Sequence, residues 1–265
     1  MFSEKECKAH VEQLLFAAIR AGNAAEVLRL ISCNNAYNTG FTLLHYAVFN
    51  NKPNVVEALL NRGIGMEGID EVAFFDETPL CYAARVGLKA IVTILLSAGA
   101  DANQKNTYNL TPLHSAALRF SQEETDELIA AKVEIARMLL EAGADINKIS
   151  EIERSKFEQL CLRPIDKSKF NKLCLTPLTI AFLFDRVDMV KLFLQNEKIN
   201  FVAPAIEEFI KKEEEYSKRY HLEVRKSVEI VKARKAMLLR EFNEFALKSN
   251  RSNPRMFGKQ SGNGE

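Results

Sequence analysis

Four near-copies of one short phrase constrain this chain more than any other feature. The phrase is complete at Thr111-Pro112-Leu113-His114. Variants stand at Thr42-Leu43-Leu44-His45, Thr78-Pro79-Leu80-Cys81 and Thr176-Pro177-Leu178-Thr179. The first three copies recur every ~33–36 residues and the last follows after about twice that interval, which marks one supersecondary unit used repeatedly. Each position has a physical task. Thr caps a helix by accepting an early backbone N–H. Pro suits the first helical position, where no N–H partner is needed. Leu then opens a buried face.

The second half of each unit agrees. Two openings are followed by Leu95-Leu96-Ser97-Ala98-Gly99-Ala100-Asp101 and Leu139-Leu140-Glu141-Ala142-Gly143-Ala144-Asp145, and a near copy runs Leu59-Leu60-Asn61-Arg62-Gly63. Gly just past a helix end supplies the left-handed backbone that closes it. Room is left between opening and closing for two short helices and a tight turn. With these motifs in phase over roughly residues 10–200, the chain resembles the ankyrin-repeat family. The resemblance implies an all-α solenoid of about five helix-turn-helix repeats with short β-hairpin fingers.

The expected organisation is a repeat domain over 1–203, a helical extension over 204–248 and a disordered tail over 249–265. Residues 11–31 read as a capping repeat, with Leu14, Leu15, Ala18 and Ile19 on one apolar face and Val27, Leu28, Leu30 and Ile31 on a second. Ala83-Ala84 in the third repeat are small enough to let paired helices approach closely. The fourth repeat carries an acidic insertion near 120–130, which predicts lengthened helices or a helical loop. A second insertion, 148–174, takes the place of a finger. Residues 205–248 contain no Gly or Pro and would span roughly 66 Å as one helix. A heptad-like stripe of Val224, Val231, Leu238 and Phe245 fits a hairpin against the last repeat as well as a coiled coil.

Composition closes off several classes. Lys plus Arg is 36 and Asp plus Glu is 35, so global charge favours neither nucleic acid nor membrane. The alternating charges after Pro204 read as a solvated helix face. No apolar run approaches the ~18 residues of a membrane span. Five Cys at irregular spacing, without CxxC, fit reduced thiols in a cytoplasmic setting. Met1–Gln13 lacks the apolar stretch of a signal peptide.

No catalytic, cofactor-binding or metal-ligating constellation emerges, so the chain reads as a non-enzymatic protein with no cofactor. His45 and His114 fall at one repeat position without ligands at metal spacing. The resemblance gives them a structural task, a hydrogen bond to the neighbouring finger. Cys161 and Cys174 have no His nearby in sequence, and Cys81 replaces the motif His. A nucleophilic thiol would need an adjacent base or cation.

In ankyrin proteins, partners are commonly bound by finger tips and by exposed first-helix residues that line a concave face. Mapped by motif, the helix positions include Phe49, Arg85, Leu118, Arg119 and Phe184, and the finger positions Tyr37, Phe41, Phe74, Phe75, Glu77 and Tyr108. Aromatic residues and Arg are enriched at binding hot spots. Phe49, Arg85 and Arg119 fall in the same two-residue slot before the interhelix turn and are expected to be exposed on one surface. The leading function is therefore binding of an unidentified partner protein by a monomer in the cytoplasm. Ankyrin proteins that intracellular bacteria inject into host cells look broadly similar. The alternatives are activity residing in the 148–174 insertion and C-terminal helices, and self-assembly through the heptad stripe.

Overall fold

A computed structural model describes residues 4–33, 40–73, 76–119, 124–153, 172–184, 186–196 and 198. The chain separates into two compact units, Met1–Ile180 and Ala181–Glu265. In the first, α1 (Glu4–Ala21) pairs with α2 (Ala24–Cys33), α3 (Gly40–Phe49) with α4 (Pro53–Asn61), α5 (Pro79–Val86) with α6 (Lys89–Ser97), and α7 (Pro112–Ala117) with α8 (Asp126–Glu141). Strands β1 (Ser150–Glu153) and β2 (Lys172–Leu175) follow, and the division between the units falls within α9 (Pro177–Leu183). The second unit contains α10 (Val187–Leu194). The 204–248 extension, the heptad stripe and the tail lie outside the described residues, as does Cys161.

The Thr-Pro opening works as its chemistry requires. Thr78 is extended and its hydroxyl accepts the Cys81 N–H at 3.1 Å, with Pro79 in the first turn of α5. Thr176 does the same for Thr179 at 3.2 Å. At the far end of α6, Gly99 takes φ +90, and the Ala100 N–H reaches back to the Leu95 carbonyl at 3.0 Å. An L side chain at that φ is strained, so Gly belongs there.

The first unit is a two-layer stack. First helices pack in one row, α1 on α3 on α5 on α7, and second helices in another, α2 on α4 on α6 on α8. The core between them is lined by the small residues Ala47, Ala83, Ala84, Ala116 and Ala117, all fully buried. Their lack of bulk allows the close helix approach expected at Ala83-Ala84. Larger residues such as Leu44, Leu80, Leu95 and Leu113 fill the layer between. In α1, Leu15, Ala18 and Ile19 are buried, but Leu14 is 44% exposed, which corrects its expected place on the apolar face. At about 100° per residue it sits at the edge of that stripe, one step around from Leu15.

The fingers are stitched to one another. Thr107 donates its N–H and hydroxyl to the Asp76 carbonyl, both at 3.1 Å. Asn109, at the tip of the next finger with φ +63, donates to the Glu151 carbonyl at 3.1 Å, and the Ser150 hydroxyl returns to the Asn109 carbonyl. β1 and β2 pair antiparallel, with Ser150 opposite Leu175 and Glu153 opposite Lys172. The 148–174 insertion thus leaves and re-enters through a finger. The acidic stretch of the fourth repeat ends in a lengthened helix. α8 has 16 residues where α6 has 9, and Thr125 caps it by accepting the Leu128 N–H.

Candidate protein-binding face

The motif His slot ties each first helix to a finger. His45 Nε2 donates to the Glu71 carbonyl at 2.9 Å. His114 Nε2 donates to the Leu175 carbonyl at 3.2 Å, while its Nδ1 accepts the Thr111 N–H at 3.3 Å and lies 2.7 Å from the Thr111 hydroxyl. These partners define a neutral ring protonated on Nε2. Burial lowers the His114 pKa to about 4. At the same slot, Cys81 points its sulfur at the Leu110 and Gln104 carbonyls, 3.6 and 3.7 Å away. The thiol stands in for the missing imidazole. Burial pushes its pKa up to about 12, opposite to what a nucleophile needs. Among the described residues, no group of His, Cys, Asp and Glu could hold a metal ion, and no helix is long and apolar enough to cross a membrane.

Beside these ties lies a shallow groove between α3 and α5. It is lined by His45, Val48, Phe49, Glu77, Pro79 and Tyr82. Phe49 forms its outer wall and is 42% exposed. Its ring centroid is 5.5 Å from that of Tyr82, tilted by 46°. The Arg85 guanidinium sits over the Tyr82 ring, 5.4 Å from its centroid. Tyr82 thus contacts both Phe49 of the preceding repeat and Arg85 of its own. Tyr82 was not among the residues singled out from sequence. Its signal was available: Tyr46 and Tyr82 both stand four residues after the motif Thr.

Arg85 departs from expectation. It is only 8% exposed, although its slot predicted an exposed side chain. The reason is Glu77, itself 1% exposed, which it grips with both forks: Nε lies 2.9 Å from each carboxylate oxygen and Nη2 2.7 Å from Oε2. Burial pushes the Glu77 carboxyl upward, and the Arg85 contacts pull it back only in part. The pair locks the second finger to α5 and carries little net charge.

The remaining candidates divide. Tyr108 is partly buried and close enough to Asp76, Glu77 and Arg85 to feel their charges. Arg119 is exposed beyond the end of α7. Leu118 is 1% exposed, so its side chain is core rather than surface; its carbonyl accepts from Lys132 Nζ at 2.9 Å. Phe184 is 7% exposed in the second unit. Phe41 lies in α3, and its side chain is outside the described set, as are Tyr37, Phe74 and Phe75 altogether. The structure thus brings together Phe49, Glu77, Arg85 and Tyr108, and adds Tyr82.

This architecture has known relatives. The family model described as ankyrin repeats (3 copies) matches residues 3–70 and 65–150. The chain belongs to the ankyrin-repeat family. Among curated proteins it is 31% identical over 128 residues to the tyrosine-protein kinase Shark of Drosophila melanogaster, covering 46% of this chain and 13% of that one. It is 30% identical over 137 residues to ankyrin repeat and SOCS box protein 6 of Homo sapiens, covering 50% and 31%, and likewise to that protein of Pongo abelii. The chain thus spans less than a third of the length of these relatives. Ankyrin repeats are generally protein–protein interaction modules, and the family is typically non-catalytic.

Proposed function

We propose that this chain binds a partner protein through the face formed by its first helices and the adjoining fingers, without catalysing a reaction. The carrying observation is Phe49. A phenylalanine with 42% of its surface in water stands on a groove whose other lining residues are buried or half-buried. His45 is fixed to the Glu71 carbonyl, and Tyr82 contacts both Phe49 and Arg85. A rigid aromatic on a preorganised surface loses little conformational freedom when it binds.

The burial of Arg85 decides how to test this. Arg85→Ala would strand the Glu77 carboxylate and cost roughly 3–5 kcal/mol of stability, so a binding defect there would be ambiguous. Phe49→Ala and Arg119→Ala change exposed side chains and should leave the melting temperature within a degree or two of the parent. Affinity purification with the full chain and with the Phe49→Ala/Arg119→Ala variant is the test. A specific partner should be recovered by the former and lost by the latter. Retention of that partner by the double variant would exclude this face.

A further inference from the structure

Resting on that reading, we infer that Phe49 and Tyr82, at the mouth of the groove between α3 and α5, pack against an apolar side chain from a basic segment of a partner protein. Two independent features meet here. The first is the apolar surface of Phe49, open to water, and of the half-buried Tyr82, backed by the buried Val48 and Pro79. The second is the charge of the finger beside it. The connector from Arg62 to Glu77 contains Glu67, Asp70, Glu71, Asp76 and Glu77, with Arg62 its one base. Glu77 is consumed by Arg85 and is buried. Glu67, Glu71 and Asp76 are exposed.

Placement makes the charges relevant to the groove. The Glu71 carbonyl receives His45, a groove-lining side chain, so Glu71 stands at the groove edge. Asp76 directly precedes the lining Glu77, and its carbonyl is bonded to Thr107 of the next finger. Neither Glu71 nor Asp76 has a side-chain ion pair with a described residue. An occupant must bury apolar surface against Phe49 and Tyr82 while facing carboxylates. Nucleic-acid phosphates and anionic lipid headgroups meet repulsion at this rim. Lys or Arg flanking an apolar anchor meets attraction, and rim charges of this kind mainly set association rate and partner choice.

Short fluorescein-labelled peptides test this against the full chain by polarisation: lysine–leucine, glutamate–leucine and lysine–serine. The lysine–leucine peptide should bind best, and its affinity should fall as salt rises, because exposed charges are screened. Glu71→Gln combined with Asp76→Asn should weaken it roughly fivefold, and Phe49→Ala about tenfold, with melting temperatures unchanged. Equal or tighter binding of glutamate–leucine, or no lysine–leucine binding, overturns the proposal. If Phe49→Ala weakens a bound peptide and the charge variant does not, the face stands as a binding site and the basic partner falls. If neither variant alters lysine–leucine binding, both readings fall. A dimer of the full chain that Phe49→Ala dissociates makes the occupant a second copy and also overturns it.

Discussion

His114 can be buried only while neutral. Its Nδ1 faces the Thr111 N–H, so a proton there would meet a donor. Its pKa falls from 6.5 to about 4 on folding. Below 6.5 the unfolded chain takes up a proton that the folded chain refuses, so stability rises with pH between about 4 and 6.5 and is flat above for this group. The full window corresponds to on the order of 3 kcal/mol. Urea denaturation across that range should show the slope in the parent and lose most of it in His114→Gln; identical slopes would remove His114 as the cause. Cys81 makes the complementary case. With a pKa raised to about 12 and no exposed surface, it should resist iodoacetamide in the native protein and react once urea unfolds it. Labelling at native conditions, read by peptide mass spectrometry, would contradict its placement.

At the scale of the element, the lengthened α8 depends on a buried ammonium. Lys132 is fully buried, with Nζ 2.9 Å from the Leu118 carbonyl and 3.0 Å from Glu124, whose side chain is 1% exposed. The lysine holds the end of α7 to α8 across the insertion. Lys132→Met keeps the volume and removes the charge, which leaves a buried carboxylate without its ammonium and should cost about 3–5 kcal/mol. Lys132→Met with Glu124→Leu should recover a large part of that loss, measurable by chemical denaturation. Gly87 is a second dependence. It ends α5 at φ +87, and a Cβ there would lie 2.4 Å from Leu128 Cδ1 on α8. Gly87→Ala should cost at least about 1–2 kcal/mol, and a neutral result would place α8 elsewhere. The repeat openings, closings and small helix contacts were legible in the sequence because they are local and recur in phase. Lys132 was not, because a lysine on an amphipathic helix looks like any solvated charge until the turn that brings Leu118 and Glu124 to it is known.

The same limit governs the site across the whole molecule. Motif phase alone placed Phe49 on the first-helix face, since a slot seven residues after the Thr recurs in every repeat. Phase could not show that Glu77 would turn inward and draw Arg85 off the surface, nor that Leu118 would become core. Those outcomes depend on a single neighbour in space. Tyr82 was readable by the same rule of phase, four residues after Thr78, where Tyr46 stands in the preceding repeat. The proposed function places the docking of a partner protein on the first-helix face, centred on Phe49. A photo-crosslinking benzoylphenylalanine at position 49, compared with one at the exposed Thr93 on the outer side of α6, tests it most directly. Position 49 should capture one specific protein and position 93 should not. Capture of that protein from position 93 alone, or equally from both, would contradict it.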